Sequence, residues 1–271
     1  MEAVYTVGGR LSCIVTLEDQ IAPAKSGRVF VDDFAVRHAL PVHKTRSINA
    51  PETIDYLRAQ ALDWLFIIGW SQIARPEVLA VVGRGAIGMH PTLLPVGRGR
   101  AAIPWAILKG LPETGVSMFV LDEGVDTGPL LGQEIIPLDA RETATTLYDK
   151  VGSAHRALMT RLWPALEAGT LYSKPQQDSA ATVWPGRTPA DGRITTLMSC
   201  DEVDRLVRAT TRPYPGAFID LPSERLRIWA GEPVSRGAAP AAARVIHLVD
   251  GDFVVHDATS EALPDDVVVS G

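Results

Sequence analysis

The sequence lacks any run of about 18 consecutive apolar residues, so it predicts no membrane-spanning helix. It also lacks a basic N-terminal region followed by an apolar stretch, so no secretory signal is predicted. Cysteine is scarce: the 271 residues include only Cys13 and Cys200, too few for a disulfide framework. These absences favour a globular protein of the reducing cytoplasm.

Several motifs that define enzyme classes are also missing. The histidines and cysteines show no zinc-ligand spacing, so no metal is predicted. No Gly-x-Ser-x-Gly motif occurs, which argues against a serine hydrolase. Residues 97–100 (Gly-Arg-Gly-Arg) resemble a phosphate cradle but have neither the ending of a P-loop nor the spacing of a dinucleotide loop. We interpret them first as a flexible basic loop and second as a substrate contact.

Apolar patterning predicts strands that alternate with helices up to residue 172. Continuous apolar runs predict buried strands at 10–17, 64–68, 85–89 and 115–121. Apolar residues three and four apart predict a long helix over 143–168. This alternation predicts an α/β, Rossmann-like fold with a mostly parallel sheet and helices on both faces. Because ligands of such sheets bind beyond the carboxyl ends of the strands, we expect the loops there to form the site.

The composition changes after residue 172. Residues 173–193 are polar and contain several prolines, so we interpret them as a linker. Beyond them, a short helix over 200–208 and short strands separated by turn residues predict a small, barrel-like β domain. The predicted organisation is therefore a catalytic domain at 1–172, the linker, and a small C-terminal domain at 194–271.

The residues best suited to chemistry are His90 and Asp126. His90 lies in a proline-rich loop after a predicted strand, and Asp126 lies in a second, glycine-rich loop. Each also has a plain structural interpretation, as a histidine that caps backbone groups and as a turn aspartate. As a pair, the carboxylate would orient the histidine, and the pair would shuttle a proton or stabilise an oxyanion.

Several short motifs occur in a recognisable order. They are His-Pro-Thr-Leu-Leu-Pro at 90–95, Arg-Gly at 98–99, Pro-Trp-Ala-Ile at 104–107, Thr-Gly-Val at 114–116 and Asp-Glu-Gly-Val-Asp-Thr-Gly at 122–128. This pattern resembles the N10-formyltetrahydrofolate-dependent formyltransferases, which include methionyl-tRNA formyltransferase, glycinamide ribonucleotide transformylase and the sugar N-formyltransferases. The likeness continues through 187–194 and 213–218, so it covers nearly the whole chain.

The resemblance implies transfer of a formyl group from N10-formyltetrahydrofolate, used as a co-substrate, to a primary amine. In that family an Asn-x-His pair and a distant Asp serve the tetrahedral intermediate, and the latter two fall on His90 and Asp126. The resemblance also implies folate contacts at Ile68, Gly69, Trp70, Ser71, Gln72, Leu94, Leu121, Asp122, Glu123, Gly124 and Val125. It implies substrate contacts at Arg187, Arg98 and Thr92.

The chain departs from the family at two places. Gly88 stands where the family has its Asn, and losing one such oxyanion donor typically costs about 10²–10³ in rate. The donor could be replaced by Gln72, Ser71, Thr127 or water; the alternative is a folate- or nucleotide-binding protein with reduced or lost catalysis. Residues 1–8 resemble the end of the family's first helix, and the strand before it has no counterpart. We expect a start codon placed too late or a sheet closed differently.

The resemblance favours a nucleotide-linked amino sugar as the acceptor. Residues 69–72 and 187–189 resemble the sugar-nucleotide enzymes, and Arg187 suits a substrate phosphate. Methionyl-tRNA formyltransferase is the alternative, but a net charge of −6 and unclustered Lys and Arg residues argue against a tRNA partner. A homodimer is among the expected assemblies.

Overall fold

The computed structural model describes residues 1–24 and 27–263, and the chain forms two compact units. The first unit contains Met1–Ala102, Thr114–Pro137 and Lys150–Trp184. The second contains Ile103–Glu113, Leu138–Asp149 and the chain from Pro185 onward. The predicted domain boundaries stay predictions, and residues 264–271 of the predicted C-terminal domain lie outside the described residues.

The described residues form helices and strands close to those predicted from apolar patterning. The helices are α1 (Glu2–Thr6), α2 (Asp32–Arg37), α3 (Pro51–Ala59), α4 (Pro76–Leu79), α5 (Ala102–Leu108), α6 (Ala144–Glu167) and α7 (Cys200–Thr210). The strands are β1 (Ile14–Leu17), β2 (Val42–Thr45), β3 (Trp64–Ile68), β4 (Gly85–His90), β5 (Arg98–Gly99), β6 (Glu113–Val120), β7 (Leu130–Pro137), β8 (Val183–Trp184), β9 (Ala217–Asp220), β10 (Arg225–Val234), β11 (Arg244–His247) and β12 (Asp252–Glu261). Among the described helices, none is long and apolar enough to span a membrane.

The first unit is built on small sheets. The main sheet has the order β3-β4-β6-β7, and β1–β2 and β5–β8 form separate two-stranded sheets. The pairs β1–β2, β3–β4 and β5–β8 are parallel. Val15 of β1 and Leu65 of β3 pack on one apolar cluster around Leu57 of α3. The predicted α/β fold with mostly parallel pairing is confirmed.

The pair β4–β6 is antiparallel, and this changes how the site is assembled. Ser117 lies opposite His90, and Val120 lies opposite Ile87, so β6 ends beside the middle of β4. From the sequence we expected the loop that carries Asp126 to start at the edge of the sheet where β4 ends. The antiparallel pairing shows that it does not start there. Asp126 nevertheless lies 3.5 Å from His90.

The second unit has an antiparallel sheet of order β11-β12-β10-β9, covered by α7. The apolar face of α7, with Val203, Leu206 and Val207, packs on buried strand residues such as Phe253, which is 0% exposed. The helix begins at a capping box in which Ser199 accepts from the Glu202 backbone N–H, and Glu202 accepts from that of Ser199. The predicted small β-rich domain is therefore present.

His155 gives the stability of the protein a dependence on pH. It lies on α6, and its Nε2 has no hydrogen-bond partner among the described residues. Burial lowers its pKa from 6.5 to about 4. An unfolded chain takes up this proton at higher pH than the folded one, so stability is full above the ordinary pKa and is lost as pH falls toward the folded value. The slope is at most about 1.4 kcal/mol per pH unit.

Urea unfolding of the wild type and of His155→Leu isolates this contribution from that of the carboxylates. We expect the free energy of unfolding to fall more steeply with acidification in the wild type than in the variant, within the window between the two pKa values. A difference between the two proteins that does not change with pH would contradict the assignment.

Candidate active site

His90 is the last residue of β4 and is 9% exposed. Its Nε2 lies 2.8 Å from the carbonyl oxygen of Gly97. Since a carbonyl only accepts, Nε2 carries a proton and donates it. The other ring nitrogen, Nδ1, lies 3.5 Å from Oδ2 of Asp126. Nδ1 is therefore the ring atom that is available to a reactant.

Asp126 is held in an unusual backbone conformation, with φ +56°. Aspartate tolerates this left-handed region better than most residues with a Cβ. Its Oδ2 accepts a hydrogen bond from the backbone N–H of Gly99 at 2.8 Å. The 3.5 Å gap to His90 is longer than a strong hydrogen bond, so a small movement of either side chain closes it. The structure thus brings the two predicted catalytic residues together.

Residues 97–100, which we call the junction loop, connect the parts of the site. Gly97 accepts from His90, and Gly99 donates to Asp126. Arg100 Nη2 donates to the carbonyl oxygen of Ser71 at 2.7 Å, in the loop after β3. The pairing of β5 with β8 also fixes the backbone. This differs from our interpretation of a flexible basic loop, because the local sequence does not reveal β8 as its partner.

Arg98 and Thr92, both predicted to contact substrate, are buried. Arg98 is 7% exposed, and its guanidinium donates to Gln176 and to Asp178. The Asp178 side chain that pairs with this guanidinium is 83% exposed. Thr92 is 1% exposed, and its hydroxyl has no partner among the described residues. Substrate contact by Arg98 and Thr92 stays a prediction.

The predicted folate contacts fall into two sets. The first set, residues 68–72, lies at the end of β3 and in the loop after it. Ile68 is 42% exposed, and Gly69 has φ +66° with nothing within 4 Å of an added Cβ. Ser71 is exposed. Trp70 Nε1 lies 3.4 Å from Oε1 of Gln72. An exposed apolar side chain beside open backbone suits a flat heterocycle.

The loop after β6 contains the second set of predicted folate contacts, residues 121–125. Asp122 folds it through its carboxylate, which accepts from Gly124 N–H at 3.0 Å and from the Thr127 hydroxyl at 2.6 Å. Val125 is 46% exposed, and Glu123 is exposed as well. Of the other predicted folate contacts, Leu94 is buried and Leu121 is half-buried. Folate contact by both sets stays a prediction.

Gly88 lies on β4 opposite Phe119, and its missing side chain leaves no empty space. A Cβ added there would lie 2.9 Å from Phe119 Cζ and 2.9 Å from Leu121 Cδ2. Two of the four proposed replacements for the family Asn are held elsewhere. The Gln72 amide bonds to backbone groups of Ile48 and Arg46, and the Thr127 hydroxyl bonds to Asp122. Ser71 and water remain.

Restoring the family residue by Gly88→Asn should therefore not restore a donor. We expect the free energy of unfolding to fall by about 1–3 kcal/mol, because the new side chain displaces Phe119 and Leu121, and kcat not to rise. Gly83→Asn is the matched control, since the nearest atom to an added Cβ there is 4.0 Å away. Urea unfolding and a formyl-transfer assay measure both effects. A higher kcat in Gly88→Asn would contradict our account of this position.

Arg187 belongs to the second unit. Its guanidinium carbon lies 5.2 Å from the centre of the Trp105 ring, and its Nη2 donates to the Asp191 carbonyl. Trp105 Nε1 donates to the Pro185 carbonyl at 2.8 Å, which fixes the ring that Arg187 covers. Burial lowers the pKa of the Arg187 guanidinium. Its contact with a substrate phosphate stays a prediction.

Two family profiles match the chain. One, described as formyl transferase, matches residues 10–162, and the other, described as formyl transferase C-terminal domain, matches residues 187–263. The chain belongs to the formyl transferase family. The family resemblance predicted from the motifs is therefore confirmed.

The chain is also similar in fold to several solved structures. HypX from Aquifex aeolicus in complex with tetrahydrofolic acid has 18% identity and a TM-score of 0.68, over 90% of this chain and 43% of HypX. Methionyl-tRNA formyltransferase from Clostridium thermocellum has 18% identity and a TM-score of 0.63, over 93% of this chain and 100% of that enzyme. The N-formyltransferase from Helicobacter canadensis, in complex with folinic acid and dTDP-3-aminofucose, has 14% identity and a TM-score of 0.63, over 92% and 100%. This chain thus spans less than half the length of HypX.

Proposed function

We propose that the chain transfers the formyl group of N10-formyltetrahydrofolate to a primary amine of a nucleotide-linked amino sugar. The observation that carries the proposal is the His90–Asp126 pair, both members of which the junction loop contacts. Membership in the formyl transferase family supplies the reaction class. The acceptor and the roles of individual residues are the proposed part.

The reaction forms one carbon–nitrogen bond and breaks another. The amine nitrogen attacks the formyl carbon, the carbonyl oxygen becomes an oxyanion, and the bond from that carbon to folate N10 then breaks. A proton leaves the amine and another reaches N10. Because Nε2 of His90 is committed to Gly97, protonated Nδ1 donates to the oxyanion. Asp126 stabilises the charged ring and takes the amine proton, directly or through water. It then gives a proton to N10 by the same route as the bond to N10 breaks, so His90 and Asp126 return to their starting states.

The folate would be held by the loops after β3 and β6. Exposed Ile68 and Val125 would cover the faces of the pterin, and backbone groups beside Gly69 and Gly124 would bind its edges. The junction loop contacts the loop after β3 through Arg100 and the loop after β6 through Gly99. The same four residues therefore hold both the proposed folate-binding loops and the His90–Asp126 pair.

The choice of a sugar acceptor rests on charge and on one relative. The relative from Helicobacter canadensis is solved with dTDP-3-aminofucose, a nucleotide-linked amino sugar. Arg187, stacked on Trp105, offers a charged donor to a diphosphate. A net charge of −6 weakens the attraction that a tRNA would need. Methionyl-tRNA formyltransferase is the alternative within enzymes.

A second candidate function is folate or nucleotide binding with little or no catalysis. It is favoured by Gly88, whose place beside His90 is filled by the apolar side chains of Phe119 and Leu121. A donor lost here costs about 10²–10³ in rate unless Ser71 or water replaces it. The cytoplasmic location and the homodimer that the sequence predicts stay predictions.

Mass spectrometry of an acceptor panel distinguishes these candidates. The panel contains nucleotide-linked amino sugars, the corresponding free amino sugars and initiator methionyl-tRNA, each incubated with N10-formyltetrahydrofolate. We expect the nucleotide-linked sugars to gain a formyl group fastest. Fastest formylation of the tRNA, lost steeply as salt is added, would favour the tRNA alternative and contradict ours. Folate binding without any formylated product would favour the second function.

A further inference from the structure

Gln176 lies in a segment that the sequence presents as linker, yet its side chain reaches the catalytic loop. Its Nε2 donates to the carbonyl oxygens of Asp126, at 2.8 Å, and Gly128, at 2.7 Å. Its Oε1 accepts from Nε and Nη2 of Arg98, at 3.2 Å and 2.9 Å. Because guanidinium groups only donate and carbonyls only accept, these partners leave one orientation for the amide.

The conformation of Asp126 explains why such a support matters. Its left-handed backbone is unfavourable for a residue with a Cβ, and it persists only where the surroundings hold it. Gln176 binds the backbone of this turn, and Gly99 binds the carboxylate. The two contacts approach Asp126 from its main chain and its side chain, and together they fix where the carboxylate points.

Arg98 supports Gln176 in turn. Its side chain is 9% exposed and pairs with Asp178 at 2.7 Å, so it is fixed at its far end. A charged donor makes a stronger hydrogen bond than a neutral one, which holds the Gln176 amide in place. Arg98 also immediately precedes Gly99 in the chain. Movement of either residue therefore disturbs both contacts with Asp126, the one from Gln176 and the one from the Gly99 N–H.

The same segment supports the other catalytic residue. Thr182 Oγ1 accepts from the backbone N–H of Gly97 at 2.9 Å, and the carbonyl of Gly97 accepts from His90. Residues 174–184 therefore contact the supports of both His90 and Asp126. Gln176 makes the more direct contact, because it binds Asp126 itself.

We propose that Gln176 is a positioning residue for Asp126 in formyl transfer. The kinetic part of the proposal rests on the proposed function, whereas the structural part does not. Gln176→Met keeps the length of the side chain and removes both donated bonds. Gln177→Met, the same change at the exposed neighbouring position, is the matched control.

Amide hydrogen exchange at Gly99, read by NMR, tests the structural part without any substrate. The Gly99 N–H is protected by the Asp126 carboxylate, so we expect its protection to fall at least about tenfold in Gln176→Met and to be unchanged in Gln177→Met. Unchanged protection in Gln176→Met would overturn the proposal. An equal loss of protection throughout the first unit would also overturn it, because Gln176 would then support the fold and not the turn.

Kinetics of the same variants test the catalytic part. We expect kcat to fall about 10- to 100-fold in Gln176→Met, since small misplacements of a catalytic group have effects of this size. In an Asp126→Asn background, the same substitution should change the remaining kcat by less than about twofold, because the group it positions is already lost. An equal factor in both backgrounds would overturn the proposal. If Gln176→Met does not fold, Gln176→Glu replaces it in both experiments, since it keeps an acceptor for Arg98 and cannot donate to the two carbonyls when ionised.

A wild type without any formyl transfer would count against the proposed function alone. The Gly99 exchange result would still decide whether Gln176 positions Asp126.

Discussion

Replacing His90 by asparagine lowers kcat for formyl transfer by about 10²–10⁴, the range expected for loss of a general acid–base group. The asparagine amide overlaps the position of Nδ1 but is too short to reach the Gly97 carbonyl, so the bond made by Nε2 is lost. The amide also cannot carry and give up a proton as the imidazole does. Folate affinity should change little, because His90 is only 9% exposed, whereas Ile68 and Val125, which we propose to contact folate, are 42% and 46% exposed. Steady-state kinetics and equilibrium binding of tetrahydrofolate measure the two effects separately.

Asp126→Asn provides the companion result. The amide oxygen still accepts from the Gly99 N–H, so the turn keeps its shape while the charge facing His90 is lost. We expect kcat to fall by a factor similar to that of His90→Asn, and the double variant to lose little more, because the two residues act as a unit. His256→Asn, at a half-exposed histidine of β12, is the control and should keep full activity. Near-full activity of both active-site variants would remove the pair from the mechanism.

Gly99→Ala should be among the most damaging single-methyl changes in the first unit. An added Cβ would lie 2.4 Å from the Trp184 carbonyl oxygen, which belongs to a backbone and cannot swing aside, and Gly99 has φ +108°. Strain and crowding together cost on the order of 2–4 kcal/mol of unfolding free energy. Moving Gly99 also breaks its bond to Asp126, so we expect kcat to fall at least about tenfold even in the folded fraction.

Gly83→Ala adds the same methyl group in a place where the nearest atom is 4.0 Å away. We expect urea unfolding to give this control a free energy of unfolding close to that of the wild type. A kcat of Gly99→Ala within twofold of wild type, at a temperature where the variant is folded, would contradict the role given to the junction loop.

Apolar periodicity predicted the elements of the fold well, for a definite physical reason. Strand β3 occupies the predicted residues 64–68, and α6 spans most of the predicted 143–168. The reason is that apolar residues recur in the sequence at the spacing of the buried face of each element. Strand direction leaves no such trace. The apolar run of β6 is compatible with either direction, so the antiparallel pairing with β4 was not predictable from it.

The pairing of His90 with Asp126 was predictable from the motifs, but the residues that support this pair were not. Gln176 meets Asp126 across 50 residues of sequence, within a proline-rich stretch that by composition resembles a linker. The sequence also does not reveal that Arg98 donates to Gln176 and Asp178, because no local pattern connects these residues to it. Long-range hydrogen bonds of this kind are set by the tertiary fold.

The most direct test of the central claim follows the donor. N10-formyltetrahydrofolate is incubated with the protein, with and without the best acceptor of the panel, and tetrahydrofolate and formylated amine are quantified together. We predict that both products appear in equal amounts, only when the amine is present, and that neither forms above background with His90→Asn. Folate that binds without being converted, or tetrahydrofolate that forms equally well without the amine, would contradict the assignment of this chain as an N-formyltransferase.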